Sequence, residues 1–213
     1  MSDLLDTFRS ALNVVELSLE DMYKRAEDTN ALVHYTPVTL GSLCILSFEN
    51  TETPFLPYMV IPALRELTGG FGLIDDVNFL TRTGPSYTHL TLHPKTAESE
   101  RLLHALGVTS NVTNLTLYFG GQYYCMDENF MRGLTCGPGT RNLVPSVVSL
   151  ALGYYFRCEG NLLLEMLKSR CTPGPLRSIK LRGWPSKPSD LCAFETLRWD
   201  QGLELIDARV NPG

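Results

Sequence analysis

The chain has 213 residues, 44% of them hydrophobic and 19% charged, which supplies apolar material for one domain of ordinary globular composition. Its formal net charge of −5 comes without a run of lysine or arginine, so the concentrated basic face that phosphate binding requires is missing and no nucleic-acid partner is expected. Six cysteines, Cys44, Cys125, Cys136, Cys158, Cys171 and Cys192, stand at uneven intervals with no two-residue pair, which excludes a zinc ribbon or a dithiol motif and predicts free thiols in a reducing compartment.

Residues 1–12 predict a single helix capped by Ser2. Asp3, Asp6, Glu16 and Glu20 interrupt the apolar residues where a signal peptide would need an unbroken stretch, and no segment approaches the roughly 18 uncharged apolar residues of a membrane span. An intracellular protein, cytoplasmic or nuclear, with no membrane partner is expected.

From residue 14 onward one pattern recurs: apolar, two variable residues, apolar, one variable residue, apolar. Its copies are Val14-Leu17-Leu19, Leu43-Leu46-Phe48, Leu64-Leu67-Gly69, Tyr87-Leu90-Leu92, Val112-Leu115-Leu117, Val147-Leu150-Leu152, Leu176-Ile179-Leu181 and Phe194-Leu197-Trp199. The second half of each copy alternates apolar and polar, as a strand with one buried face does.

Between copies the spacing turns helical. Leu73, Val77 and Leu80 share one side of a candidate helix, as do Ala97, Leu102, Leu103 and Leu106, and again Leu162, Leu163, Met166 and Leu167 behind a capping Asn161. Asp75-Asp76 and Asp127-Glu128 start candidate helices, where their charge opposes the positive end of the dipole.

A strand–helix unit of this size is too small to bury both its parts, so units must stack edge to edge. The predicted fold is therefore an α/β leucine-rich-repeat solenoid of about eight irregular repeats, forming one domain over 1–213, with a curved parallel sheet on the concave side and helices on the convex side. The central positions recur every 18 to 35 residues. The longest interval, Leu115 to Leu150, is read as a repeat with an inserted loop, and the shortest, Ile179 to Leu197, as one whose helix is replaced by an extended return through Pro185 and Pro188.

Several segments carry a resemblance. Ile61-Pro62-Ala63-Leu64-Arg65-Glu66-Leu67 resembles the P-x-L-x-x-L repeat opening of F-box-like proteins of mushroom-forming fungi. Phe79-Leu80-Thr81-Arg82-Thr83 resembles their F-L-x-R-S helix end, Glu165-Met166-Leu167-Lys168-Ser169-Arg170 their M-x-x-S-R helix end, and Gly202-Leu203-Glu204-Leu205 their G-L-x-I close after the final strand. The likeness spans residues 10 to 207. It implies the substrate-recognition part of a ubiquitin ligase receptor, and since no residues here match the F-box, contact with a ligase adaptor is not expected.

Catalytic equipment is not found in the sequence. His89 and His93 have the spacing of a helical zinc pair but lie on a predicted strand, about 13 Å apart at 3.3 Å per residue, so no metal site is expected. No serine lies in a nucleophile elbow, and neither Gly69-Gly70-Phe71-Gly72 nor Gly137-Pro138-Gly139-Thr140 has the lysine of a phosphate loop, so no cofactor is expected. Strand parity instead nominates a concave binding face comprising Glu20, Ser47, Glu49, His89, Thr91, His93, Asn114, Thr116, Tyr118, Lys180, Arg182 and Arg198. Acids occupy its early strands, neutral groups the middle and cations the late ones, a grading that suits a protein partner. Two alternatives stay open at this point, a fragment without a function of its own and an enzyme of unrecognised type.

Overall fold

The computed structural model describes residues 2–20, 36–49, 54–70, 77–83, 86–94, 99–119, 127–137, 142–153, 160–171, 174–182, 194–197 and 203–208. Its strands are β1 (Glu16–Glu20), β2 (Val38–Thr39), β3 (Ile45–Glu49), β4 (Met59–Val60), β5 (Glu66–Gly69), β6 (His89–Leu92), β7 (Asn114–Tyr118), β8 (Ser149–Gly153), β9 (Ser178–Arg182) and β10 (Glu204–Ala208). Its helices are α1 (Ser2–Ser10), α2 (Val77–Thr83), α3 (Ser99–Gly107), α4 (Glu128–Leu134) and α5 (Gly160–Cys171).

The architecture is α/β. Eight described strands form one open sheet in the order β1-β3-β5-β6-β7-β8-β9-β10, joined by seven pairings that are all parallel, while β2 and β4 pair in a small separate ladder. Each main-sheet strand lies beside the main-sheet strand before it in the chain, so the sheet neither reverses direction nor closes into a barrel.

The aliphatic triplets produce this arrangement. Their central members Leu17, Leu46, Leu67, Leu90, Leu115, Leu150 and Ile179 stand opposite one another across the sheet, and their third members Leu19, Phe48, Gly69, Leu92, Leu117, Leu152 and Leu181 do the same. From β3 to β9 the side chains of both rows are no more than 2% exposed, and Gly69, which has none, is buried. Each such leucine contributes about 1.5–3 kcal/mol relative to the same side chain left in water.

The first members, Leu43, Leu64, Tyr87, Val112, Val147 and Leu176, are buried as well, just before each strand begins. A backbone device recurs at the same place. The carbonyl of Val15 accepts from the amides of Cys44 and Ile45, that of Cys44 from Arg65 and Glu66, and that of Arg65 from Thr88 and His89. The carbonyls of Thr88, Thr113 and Val148 each accept from two amides of the next unit in the same way. Strand entry is thereby tied to its neighbour by direct hydrogen bonds.

Behind the sheet the apolar faces of the helices complete the same core: Phe79 and Leu80 of α2, Leu102, Ala105 and Leu106 of α3, Phe130, Met131 and Leu134 of α4, and Leu163, Met166 and Leu167 of α5. Successive helices from α2 to α5 pack side by side. Gly133 permits the approach of α4 to α3, because a Cβ there would lie 2.5 Å from Cδ1 of Leu103. Nearer the N-terminus the layer is built differently, from α1, the β2–β4 ladder and a 3-10 turn over Leu56–Tyr58, with Phe8 and Phe55 edge to face at 6.3 Å.

Asp127 caps α4, its carboxylate accepting from the Phe130 amide at 2.8 Å, as the acidic pair predicts. Asn161 does not cap α5, which begins one residue earlier; its side chain accepts from the adjacent Leu162 amide. Leu73, Ala97, Asp75 and Asp76 lie outside the described residues.

One larger expectation is corrected. Residues 194–197, predicted to open the eighth strand, are helical, with Phe194 and Leu197 buried in the core. The eighth sheet strand is β10, where Leu205 stands opposite Ile179. A strand of alternating residues would have exposed every second side chain of this segment, whereas Phe194 and Leu197, three apart, share one helical face. The last interval is then 26 residues rather than 18; Pro185 and Pro188, read as an extended return, lie outside the described residues. Among the described residues no helix is long and apolar enough to cross a membrane.

Candidate functional site

Strand residues that alternate with the buried rows form the opposite face of the sheet, and their register arranges them in three lines. The first runs Glu16, Ile45, Glu66, His89, Asn114, Ser149, Ser178 and Glu204. The second runs Ser18, Ser47, Thr68, Thr91, Thr116, Ala151, Lys180 and Ile206. The third begins with the pair Glu20 and Glu49 and ends with Tyr118, Gly153, Arg182 and Ala208; His93 follows β6 directly and meets Tyr118 through its ring.

Eleven of the twelve residues nominated from sequence fall in these lines or next to them. Glu20, Ser47, His89, Thr91, His93, Asn114, Thr116, Tyr118 and Lys180 are all exposed or half-buried, while Glu49 and Arg182 are placed by backbone register. Arg198 lies outside the described residues, and residues 194–197 before it are helical rather than extended.

The parity reading passed over β5 and had no β10. Glu66 and Thr68 stand beside His89 and Thr91, and Glu204 and Ile206 beside Ser178 and Lys180. The signal for β5 was present in its triplet, but Gly69 broke the apolar rule at the third place. For β10 the first and third places are Gly202 and Asp207, so no apolar triplet exists to find.

Within each line, residues of neighbouring strands touch laterally. Ser47 Oγ donates to Ser18 Oγ at 3.0 Å between β3 and β1. Asn114 Nδ2 lies 3.0 Å from His89 Nε2 between β7 and β6, and Thr88 Oγ1 lies 3.0 Å from His89 Nδ1, so both imidazole nitrogens are engaged. The rings of His93 and Tyr118 stand 5.3 Å apart at 36°. Tyr118 then leans across β8: a Cβ on Gly153 would sit 2.7 Å from its Cδ1. Gly153 is consequently buried although it belongs to an outward line.

Charge is segregated along the face. The outward positions of β1, β3 and β5 carry Glu16, Glu20, Glu49 and Glu66 and no cation. Those of β6 to β9 carry Lys180 and Arg182 and no acid, and Glu204 follows on β10. By register, then, the glutamates stand on the early strands and the cations on β9, with one further glutamate on β10. Among the described residues no group of three or more His, Cys, Asp or Glu side chains is placed to hold a metal ion.

Comparison of the chain with protein-family models, with curated proteins and with solved structures finds no match.

Proposed function

We propose that the chain is a leucine-rich-repeat solenoid that binds a protein partner on its concave sheet face, in the manner of the substrate-recognition part of an F-box-type ubiquitin ligase receptor. The observation that carries this reading is registration. Eight successive units, β10 included, place their central aliphatic residues opposite one another, at intervals of 29, 21, 23, 25, 35, 29 and 26 residues, most within the 20–29 of such repeats.

Stacked units that seal one side of the sheet leave the other as an extended polar surface with fixed spacing, and that surface is where solenoids take partners. Nothing in the reading asks for catalysis, a metal or a cofactor. A graded charge pattern suits protein recognition, because it sets orientation and encounter rate.

The test compares three forms of the protein in capture from cell lysate followed by mass spectrometry: the wild type, a face variant (Tyr118→Ala, Lys180→Glu, Arg182→Glu) and a helix-side variant (Glu100→Lys, Arg101→Glu). The expected outcome is a set of proteins held by the wild type and the helix-side variant and lost by the face variant, with all three melting alike. Equal capture by the face variant overturns the proposal.

A further inference from the structure

Resting on that reading, we infer that Tyr118 is the anchor of the face and that the partner segment it receives is extended and acidic.

Tyr118 is held from both sides. The His93 ring stands against it at 5.3 Å, and on the other side it occupies the notch left by the missing side chain of Gly153. A large side chain lying flat in a preformed seat loses little rotamer freedom on binding, and such pre-set aromatic residues carry a disproportionate share of interface energy. Any side chain at position 153 would evict the ring from its seat, since 2.7 Å is well inside van der Waals contact.

The chemistry of the partner follows from what surrounds the anchor. Outward positions of β6, β7, β8 and β9 comprise imidazole, amide, hydroxyl, methyl and cationic groups, with no carboxylate. Lys180 stands two strands from Thr116, and Arg182 two strands from Tyr118, roughly 10 Å at the usual strand spacing. A segment crossing β7 to β9 with an apolar side chain on the Tyr118 ring therefore brings its next side chains over Lys180 and the outward register position of Arg182. Carboxylates there are attracted, whereas ammonium groups meet like charge. The four glutamates of β1 to β5 lie on the other side of Tyr118 and exclude an acidic segment from that end.

Three fluorescein-labelled peptides of one scaffold of about ten residues test this, differing only at three alternate positions that carry aspartate, lysine or glutamine, with binding read by anisotropy. The aspartate peptide is expected to bind at least about tenfold tighter than the lysine peptide. Tyr118→Ala and Gly153→Ala each remove that binding, Tyr118→Phe keeps it, Lys180→Glu transfers the preference to the lysine peptide, and Glu100→Gln on α3 changes nothing.

Melting curves report whether each variant is folded, and Tyr118→Phe against Tyr118→Ala decides the case even if Gly153→Ala does not fold. No preference for aspartate over glutamine, or full affinity in folded Tyr118→Ala, overturns the inference. If lysate partners still depend on the face in that event, the anchor is refuted and the broader reading stands.

Discussion

Arg170 offers the sharpest perturbation of the fold that carries this face. It lies in the last turn of α5, only 4% exposed, and its guanidinium donates to the backbone carbonyls of Leu134 at 2.7 Å, Leu143 at 2.9 Å and Val144 at 3.4 Å. Beside it Ser169 Oγ accepts from the Cys136 amide at 2.9 Å and donates to the Met166 carbonyl. The tail of one unit's helix is thus bonded to both sides of the longest insertion, the one between Leu115 and Leu150. Within that insertion Val144 has φ of 43°, a left-handed conformation costly for a β-branched residue. Its carbonyl is one of the three that Arg170 holds.

Replacing Arg170 with methionine keeps the packing volume and removes every donor. Two bonds of good length from a charged group are worth roughly 1.5–3 kcal/mol each, and the third, at 3.4 Å, adds little. Against this stands the desolvation of the guanidinium, the same effect that lowers its pKa in the fold and that methionine would not suffer. The expected net loss is about 3 kcal/mol, which for a chain of this length lowers Tm by roughly 6–12 °C. Urea unfolding and calorimetry measure it, with hydrogen exchange of the Cys136 amide as a local readout. Arg170→Lys keeps the charge but not the fork, and should recover less than half. A loss below about 1 kcal/mol for methionine, or a lysine variant as stable as wild type, would refute the account.

Tyr87 is fully buried and, among the described residues, its hydroxyl has no hydrogen-bond partner, so Tyr87→Phe should raise stability by about 1 kcal/mol in urea unfolding. Burial also holds that phenol well above its ordinary value: above about pH 10 the unfolded chain sheds a proton the native state retains, stability falls as pH rises, and Tyr87→Phe should flatten that slope. Asp127→Ala removes the cap of α4 and should cost about 1 kcal/mol, recovered in part by Asp127→Asn. Burial raises the Cys171 thiol despite nearby Arg177, so mass-mapped thiol labelling of native protein should modify the partly exposed Cys44 and Cys136 first and reach Cys171 only on unfolding. Leu46→Ala in the sealed row should cost about 2.7–5 kcal/mol, and Leu17→Ala, half-buried on the end strand, clearly less; equal costs would contradict stacking as the source of stability.

The inward rows were readable because their cause is local. Period-two burial needs an apolar residue at fixed offsets, and seven of the eight triplets seat a sheet strand. The copy at Phe194-Leu197-Trp199 misled because the spacing i, i+3 belongs equally to a helix face, and only packing against the core decides between them. The fourth apolar place of the unit went unread. Leu40, Ile61, Thr109 and Val144, each three residues before a triplet, are buried, and Leu40, Ile61 and Val144 accept from the first amide of the triplet. Extending the pattern upstream would have found Leu40 and Ile61. Thr109 hides from any apolar search because it is polar in the sequence and satisfied in the fold, where its hydroxyl donates to the Leu106 carbonyl. Arg170 hides for the same reason, since three carbonyls brought from 26 to 36 residues away make its burial tolerable.

The two faces of the sheet obey different constraints. Each inward residue must fill the space left by the strands beside it and the helix behind it, so its identity is set within the chain, and Leu17 and Leu19 lose burial where the sheet ends at β1. An outward residue has only its lateral neighbours, and most polar side chains satisfy those equally well: Ser47 meets Ser18, and Asn114 meets His89. Internal packing therefore does not explain why glutamates gather before β6 and cations at β9, whereas the glycine at 153 follows from the Tyr118 ring packed over it. The position of the face could therefore be deduced from alternation, while under the function proposed above its selectivity is to be sought at Tyr118, Gly153 and Lys180.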